Sequence, residues 1–543
     1  MDVTLEQARV LVGACRGVVD GAVGRLAERS GRGGRVDLAL LDRDQGLAYD
    51  VATVAGRVTA AEHLLTYGEL GALERHLAVL YAGEVAADLA GRLAGREVAW
   101  ALDAGSPWSG GVGAALAAAR SPGLLAEVAG AILRDPDLPR HLGGDLAMVR
   151  ASFRAFSEAR VAPVAEEVHR DDLDLPEPII AGLAEMGCFG LSIPERFGGF
   201  AEGEGPGDLL SMMVVTEELS RGSLGAAGSL ITRPEILSRA LLSGGTPEQR
   251  ERWLPGIATG ELMCAVAVTE PDHGSDVAGL TVSAVRDGDD YVVDGTKTWC
   301  TFAGRADLVL LLARTGTAGE RHRGLSLFVL EKPPYPGHAW THEGQGGGRI
   351  EARAIGTLGY RGMHSFELAF SGYRVPAVNL VGGTEGLGRG FYLQVDAFAN
   401  GRLQTAARAL GVMQAAFEAA VTYANAREVF GVPLAAYQLT QAKLARMAAA
   451  IAACRWFSHA AARLLAGGDG QLQASMVKSV SCLAAEWLTR EAMQIHGGMG
   501  YAEEYAVSRY FVDARVLSIF EGADETLALR VIVRRLIEER LRL

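Results

Sequence analysis

The sequence predicts an α+β fold in which helical segments flank one β domain. Apolar residues recur at helical spacing over most of residues 1–260, form short runs between turn signals from about 262 to 378, and return to helical spacing from about 388 onward. A stretch with two prolines and two glycines at 135–144 marks a boundary inside the first helical part. We therefore predict four parts: an N-terminal helical extension (1–143), a helical domain (144–261), a β domain (262–386) and a C-terminal helical bundle (387–543).

The composition is that of a large globular chain without features of a nucleic-acid or membrane protein. Of the 543 residues 49% are hydrophobic and 22% are charged, enough to bury a large core. The net charge of −13 argues against a nucleic-acid partner, which would need clustered lysine and arginine. The N-terminus lacks a signal-peptide pattern, and no run of about 18 apolar residues occurs. The six cysteines lie far apart without metal-ligand spacing, so we expect reduced thiols, no metal site and a cytoplasmic protein.

The prediction of the helical parts is based on the spacing of apolar residues and on the sequences of the loops. Val3, Val10, Leu11 and Val18 recur near helical spacing in the extension. In the next part, the loop at 243–249 leads into a helix with Thr246 as its N-cap. In the last part, three long apolar stripes predict helices that pack as a bundle.

The β domain is predicted from short apolar runs separated by turn signals, which indicate about seven strands. These runs are MCAVAV, TVSAV, YVVDG, KTWCT, LVLLLA, LSLFVLE and FELAF.

Two segments of the β domain suit an anion and a planar heterocycle. VTEPDHGSD at 268–276 ends a strand in a turn with Gly274 and Ser275, whose backbone N–H groups suit an anion or a ring carbonyl. GTKTWCT at 295–301 places Trp299 and Thr301 on one face of a strand, an aromatic slab beside a hydroxyl. A polar turn and an amphipathic strand are the simpler explanations of the same residues.

Three segments of the C-terminal part suit phosphates and a base. In AREVFG at 426–431 Arg427 can reach a phosphate, with Gln438 further along. In QIHGGMGY at 494–501 paired glycines allow the backbone to approach a pyrophosphate closely. In SIFEGADET at 518–526 Glu521 lies between an apolar run and a glycine, where partial desolvation would make it a stronger base. A surface arginine, a helix-ending turn and a surface glutamate are the alternatives.

Together and in this order, the five segments resemble the acyl-CoA dehydrogenases from about residue 145 to the end. The resemblance implies an enzyme in which a helical domain, a β domain and a helical bundle flank a bound FAD. It also implies that Val268 and Thr269 contact the flavin ring, and that Ser275 lies near the flavin pyrophosphate and the substrate. Trp299 and Thr301 match the aromatic slab and the hydroxyl near the flavin N5.

The resemblance further implies that a neighbouring subunit grips the adenine half of FAD, and therefore a homodimer or homotetramer. The residues concerned are Arg427, Phe430, Gln438, Gln494, Gly497 and Gly498. Ala523 and Glu525 match further cofactor contacts, although a threonine is frequent in the family at the position of Ala523. Electron-transfer flavoprotein is the implied electron acceptor.

Glu521 stands where many family members carry the catalytic base. The resemblance assigns it removal of the proton α to the thioester, while a hydride leaves the β-carbon for the flavin. Gly522 and Arg402 match substrate contacts, and a backbone N–H of the base's own loop is expected to polarise the thioester carbonyl. A second base position known in the family is Gly401 here, which cannot act as a base.

Within the family the chain most resembles the dehydrogenases of (2S)-methylsuccinyl-CoA, which carry an extra N-terminal helical segment. The similar segments are 46–54, 228–236, 358–370, 402–412 and 519–525. The implied product is mesaconyl-CoA, in the ethylmalonyl-CoA pathway. Because the free carboxylate of this substrate must be paired in a dry pocket, Arg233 and Arg361, assisted by Tyr360, are candidates to bind it. A structural role for these arginines is the alternative.

Three other functions stay open at this point. They are a dehydrogenase for another short or branched acyl-CoA, an acyl-CoA oxidase, and a non-catalytic nucleic-acid-binding flavoprotein of the same fold. The net charge of −13 disfavours the last. We identify no catalytic residue in the extension.

Overall fold

The computed structural model describes residues 3–102, 107–202 and 206–542, which form two compact units. One unit comprises Asp145–Gln404, and the other joins Met1–Gly144 to Thr405–Leu543. Helical segments flank one large mixed sheet along the chain, and the predicted α+β fold class is confirmed. Among the described residues, no helix has the length and apolar composition needed to cross a membrane.

The unit Asp145–Gln404 is built around an eight-stranded sheet. Its strands, numbered β1 to β8 in chain order, are Cys264–Ala267, Ser283–Asp287, Asp290–Thr301, Leu308–Arg314, Leu325–Glu331, Ala339–Glu343, Arg349–Ala354 and Ser365–Pro376. Neighbouring strands follow the order β1-β4-β2-β3-β8-β7-β6, and β5 pairs with β4 off this path. Strand β4 is parallel to β1 and β2, and the other pairs are antiparallel.

The sequence predicted about seven strands, and this part of the prediction is wrong. YVVDG and KTWCT belong to one strand, β3, because its ladder with β8 continues on both sides of Gly295. The prediction missed β6 and β7. In both, every second residue is exposed, so no continuous apolar run marks them in the sequence.

Both faces of strand β4 are covered by apolar packing. Along β4, the even-numbered residues from 308 to 312 belong to one apolar cluster, and the odd-numbered residues from 309 to 313 belong to another. The first cluster includes Trp253 and Leu254 of a helix that packs on the sheet. Burial on both faces explains why the sequence of β4 is apolar almost without interruption.

The helices of this unit precede and follow the sheet. They are Gly144–Phe156, Ala162–Arg170, Glu177–Glu185, Pro206–Gly222, Thr232–Gly244, Pro247–Thr259 and the first part of Gly390–Ala426. The predicted N-cap is confirmed, since Thr246 Oγ1 accepts from the Gln249 N–H at 3.3 Å and Gln249 Oε1 accepts from the Thr246 N–H at 3.0 Å. This capping box satisfies two backbone donors and fixes where the helix begins.

The second unit consists of the extension and the C-terminal helices. The extension helices are Leu5–Ser30, Leu38–Leu41, Gln45–Tyr67, Ala72–Leu93, Gly110–Ala119 and Pro122–Ile132. The C-terminal helices are the rest of Gly390–Ala426, then Gln438–Ala466, Gln471–His496, Ala506–Leu517, Asp524–Thr526 and Val533–Arg542. Two unnumbered strand pairs, at 31–36 and 428–433, have two residues in each strand.

The extension packs directly on the C-terminal helices within this unit. A Cβ added at Gly56 would lie 2.9 Å from Val480 Cγ2. The helix Gln45–Tyr67 therefore packs closely on the helix Gln471–His496 at this point. Arg530 donates to both carboxylate oxygens of Asp42, at 2.7 and 2.9 Å. The extension therefore shares a core with the C-terminal helices.

Candidate active site

Two segments singled out in the β domain lie side by side. The Thr298 N–H donates to the carbonyl of Thr269 at 2.8 Å, which joins β3 to the chain that follows β1. Lys297 Nζ donates to the carbonyl of Val268 and to Glu270 Oε1, each at 2.8 Å. These bonds hold the two segments in a fixed relation, as one binding surface would require.

Lys297 and Glu270 form a buried ion pair behind this surface. The other Glu270 oxygen accepts from the N–H and hydroxyl of Thr281 at 2.7 and 2.8 Å, and Oε1 also accepts from the Val282 N–H at 2.9 Å. Burial lowers the pKa of Lys297, an effect that Glu270 opposes. Although burial alone would raise the pKa of Glu270, Lys297 and the backbone donors hold it below its ordinary value. Sequence reasoning missed this pair.

Trp299 and Thr301 do not share a face of β3, which corrects the prediction from strand alternation. The register with β8 shifts between Phe366 and Leu368, a β-bulge beside Trp299. Trp299 has a φ of +58° and is 54% exposed, whereas Thr301 is buried with Oγ1 2.9 Å from Ser365 Oγ. The bulge turns the indole outward, so an aromatic face is exposed at the surface of this unit.

Glu521 lies in a short loop between two C-terminal helices of the other unit. The loop is closed by the Asp524 N–H, which donates to the Ser518 carbonyl at 3.1 Å. Glu521 has a φ of +53° and Gly522 a φ of +99°, so a non-glycine residue is held in the left-handed region. Glu521 Oε2 is buried and has no hydrogen-bond partner among the described residues. A carboxylate oxygen without a donor is the arrangement expected of a base that meets its partner only in the substrate.

The two arginines proposed for a substrate carboxylate have different surroundings in the unit Asp145–Gln404. Arg361 donates to the carbonyls of Thr357 and His169 at 3.1 and 2.8 Å, which supports a structural role for it. Arg233 is 7% exposed, and the one hydrogen bond that it makes to the described residues, to the Ser229 carbonyl, is 3.5 Å long. No carboxylate of the described residues lies within ion-pair distance of Arg233.

The loop of Arg361 packs on the segment that precedes the helix of Arg233, Thr232–Gly244. A Cβ at Gly225 would lie 2.1 Å from the Arg361 carbonyl oxygen. The loop of Tyr360 and Arg361 therefore packs directly on the backbone of Gly225. Tyr360 is buried and has a φ of +60°. The segment 358–370 therefore contacts the chain three residues before the segment 228–236.

The residues predicted to grip the adenine half of a cofactor lie on the surface of the second unit. They are Arg427, Phe430, Gln438, Gln494, Gly497 and Gly498, all of them exposed. Phe430 is 96% exposed with a φ of +52°, unusual for a large apolar side chain. Burial lowers the pKa of the neighbouring His496, whose Nδ1 lies 2.8 Å from the Ala492 carbonyl oxygen.

The remaining predicted contacts occupy three places. Ser275 lies in the exposed turn after β1, and Arg402 lies in the helix Gly390–Ala426. Ala523 follows Glu521 in the same loop, and Glu525 lies just after it in the helix Asp524–Thr526.

One group of side chains has the composition of a metal site, although we predicted none. Ligand atoms of Asp172, His338 and His364 lie within 4.8 Å of one another. The His364 ring nitrogens lie 3.3 Å from Asp172 and 3.2 Å from Asp174, and Arg361 Nε lies 3.4 Å from the same Asp172 oxygen. These contacts hold Asp172 beside His364, and the His338 ring lies 4.2 Å from the His364 ring.

Comparison with known proteins gives matches along most of the chain. Models of the acyl-CoA dehydrogenase N-terminal, middle and C-terminal domains match residues 144–261, 265–372 and 388–537. A (2S)-methylsuccinyl-CoA dehydrogenase from Cereibacter sphaeroides is 40% identical over 533 residues, 94% of each chain.

Two solved structures are similar over a smaller share of the chain. A glutaryl-CoA dehydrogenase in complex with glutaryl-CoA is 30% identical with a TM-score of 0.65, covering 73% of this chain and 95% of its own. A glutaryl-CoA dehydrogenase from Mycobacterium smegmatis in complex with FADH2 is 26% identical with a TM-score of 0.64, covering 72% of this chain and 94% of its own.

Proposed function

The chain belongs to the acyl-CoA dehydrogenase family and is an oxidoreductase of that family, and we propose that it oxidises (2S)-methylsuccinyl-CoA to mesaconyl-CoA with FAD as its cofactor. The similarity to the Cereibacter enzyme supports this substrate, because it covers 94% of both chains and so includes the extension. We also propose a place in the ethylmalonyl-CoA pathway, which follows from the resemblance to this subgroup and depends on the proposed substrate.

The residues of the β domain fit a flavin. The Lys297–Glu270 pair holds the segment of Val268 and Thr269 against β3, and the β-bulge exposes the indole of Trp299. An exposed aromatic face beside fixed backbone groups suits a planar heterocycle. When bound, FAD supplies the acceptor for the hydride that leaves the substrate β-carbon.

Glu521 is the proposed base. Its Oε2 has no donor among the described residues, so it is able to accept the α-proton of the thioester. A backbone N–H of the same loop, near Gly522, is the proposed donor to the thioester carbonyl, where negative charge develops during the reaction.

The choice of substrate is based mainly on the surroundings of Arg233. A buried guanidinium that is always charged needs a counter-charge, and no carboxylate of the described residues supplies one. The terminal carboxylate of methylsuccinyl-CoA would supply it, whereas a purely aliphatic acyl chain would leave the charge unpaired. Arg361 is the weaker candidate, because its N–H groups already bind the carbonyls of Thr357 and His169.

The test is to add (2S)-methylsuccinyl-CoA anaerobically to the purified holoenzyme and follow the visible flavin band. Butyryl-, isobutyryl- and isovaleryl-CoA are the comparison substrates. Rapid bleaching by methylsuccinyl-CoA alone supports the proposal. Bleaching by one of the others instead would replace the substrate but keep the reaction, and absence of a flavin band would refute the cofactor.

We propose electron-transfer flavoprotein as the acceptor of the electrons, from resemblance to the family. We also propose a homodimer or homotetramer, because the surface of Arg427 and Phe430 would bind the adenine half of a partner's cofactor. Oxygen uptake during turnover would instead indicate an oxidase, and a single-subunit mass in light scattering would refute the oligomer.

A further inference from the structure

Tyr49 connects the N-terminal extension to the loop of the proposed base. It lies in the helix Gln45–Tyr67, within the segment 46–54 that resembles one subgroup of the family. Its hydroxyl donates to Asp524 Oδ2 at 2.7 Å, across 475 residues of sequence. Asp524 is three residues after Glu521, at the start of the short helix that ends the loop. Both residues belong to the same compact unit.

The backbone of the Glu521 loop needs such attachments. Glu521 has a φ of +53°, a backbone conformation that is unfavourable for a non-glycine residue and persists only where the surrounding structure holds it. Without anchors, the loop would relax and move the carboxylate.

The C-terminal helices provide two anchors. Lys478 Nζ donates to the Gly522 carbonyl at 2.7 Å, and Ser479 Oγ donates to Asp524 Oδ1 at 2.5 Å. Both donors lie on the helix Gln471–His496, so they fix the loop from one side.

Tyr49 provides the third anchor, from the extension. Asp524 is 5% exposed, and its two oxygens accept separately from Ser479 and Tyr49. Burial raises the pKa of Tyr49 and the hydrogen bond to Asp524 raises it further, so the phenol stays protonated and donates. If the phenol were removed, one oxygen of a buried carboxylate would be left without its donor.

From this geometry we propose that Tyr49 is a positioning residue for Glu521, so that the extension takes part in dehydrogenation by holding the loop of the base. The inference rests on the proposed role of Glu521. It gives the extension a function that its sequence did not indicate. Tyr49 acts through Asp524 and does not itself touch the substrate.

The test compares two tyrosine variants of the holoenzyme. Tyr49→Phe removes the hydroxyl that reaches Asp524. Tyr67→Phe is the matched control, because Tyr67 is also in the extension and donates to a backbone carbonyl, that of Pro139, at 2.8 Å. The measurements are the rate of anaerobic flavin reduction, KM, FAD content, Tm, and hydrogen–deuterium exchange of the peptide 516–526.

We expect Tyr49→Phe to slow flavin reduction about tenfold or more, since small displacements of a catalytic group are costly. KM and FAD content should stay near wild type, and exchange in 516–526 should rise. Each variant loses one partly buried hydrogen bond, so the two should lower Tm to a similar degree. Tyr67→Phe should leave the rate of flavin reduction and the hydrogen exchange of 516–526 unchanged. An unchanged rate in Tyr49→Phe, or equal loss of rate in both variants, would overturn the inference.

A second pair of variants tests whether the effect passes through Asp524. Ser479→Ala should also slow flavin reduction, and the double variant with Tyr49→Phe should lose less than the product of the single losses, because both donors share one acceptor. Independent, multiplying losses would count against the proposed route. The variant Glu521→Gln distinguishes a failure of the proposed base from a failure of the proposed role of Tyr49. Normal turnover of that variant refutes the base itself, whereas an inactive Glu521→Gln with a fully active Tyr49→Phe refutes only the role of Tyr49.

Discussion

Glu521 and Arg233 have buried polar groups with too few partners in the described part of the chain. Glu521 Oε2 has no donor, and Arg233 has only a 3.5 Å contact with the Ser229 carbonyl. Buried polar groups are normally paired, and an unpaired one costs folding free energy. We therefore propose that a bound ligand supplies the missing partner of each.

Replacing Glu521 with glutamine should nearly abolish turnover while FAD stays bound. The amide has the shape of the carboxylate but cannot accept the α-proton, and we expect the rate to fall about 10²–10⁴-fold. Stopped-flow reduction of the flavin measures this directly. Glu539→Gln, at an exposed position of the same unit, is the control and should behave as wild type. Turnover near the wild-type rate in Glu521→Gln would remove it as the base.

Replacing Arg233 with glutamine should raise KM for methylsuccinyl-CoA by about tenfold to a hundredfold. A hydrogen bond to a charged group contributes about 1.5–3 kcal/mol, which is lost with the guanidinium. KM for butyryl-CoA, which has no terminal carboxylate, should not rise, and Tm of the free enzyme should hold or increase because an unpaired buried charge is removed. If KM for methylsuccinyl-CoA is unchanged here and in Arg361→Gln, neither arginine binds the carboxylate.

At the scale of elements, one ion pair joins the strands of the proposed flavin surface. Lys297 on β3 binds Glu270, which follows β1, and Glu270 in turn binds the backbone at Thr281 and Val282 before β2. One buried carboxylate thus connects three stretches of the β domain. Its position depends on Lys297, because an unpaired carboxylate is unfavourable in this interior.

Lys297→Met should destabilise the β domain by about 3–5 kcal/mol, because it leaves the buried Glu270 without its counter-charge. We also expect weaker FAD retention, since the segments beside Val268 would separate. Thermal unfolding and the flavin-to-protein absorbance ratio measure the two effects. Arg349→Ala breaks an exposed ion pair with Glu351 in the same unit and should change stability by no more than about 1 kcal/mol. A loss of similar size in both variants would contradict this prediction.

At the largest scale, the extension and the C-terminal helices form one folded unit. The helix Gln45–Tyr67 is rich in alanine, and the missing side chain of Gly56 lets it approach the helix Gln471–His496. Asp42, Tyr49 and Gly56 all contact C-terminal residues along this side. Loss of the extension would therefore expose the core of the C-terminal helices.

Two glycine variants of one helix test this packing. Gly56→Ala places a methyl 2.9 Å from Val480 and should lower the free energy of unfolding by about 1–3 kcal/mol, the usual cost of overpacking. Gly46→Ala, in the same helix with nothing within 4 Å of the new methyl, should be neutral or stabilising because alanine favours helix. Thermal unfolding monitored by circular dichroism compares them. Equal Tm values in the two variants would show that the helices do not pack closely at Gly56.

The sequence by itself determined the features that depend on neighbouring residues. The change from helical spacing to short apolar runs predicted the α+β class, and the Thr246 N-cap was predictable because the backbone that it caps is three residues away. The motif around Glu521 could be recognised for the same reason, since its residues are contiguous. Helix spacing, caps and turns are local interactions, so a single sequence contains enough information to predict them.

Only the tertiary structure decided the features that join distant parts of the chain. Strands β6 and β7 lack a local apolar run, and the bulge that turns Trp299 outward depends on the register with β8. The Lys297–Glu270 pair spans 27 residues and the Tyr49–Asp524 bond spans 475. The packing of the whole chain decides which partner each buried charge has, because an unpaired charge in the interior has a large desolvation cost. No local sequence pattern predicts that pairing.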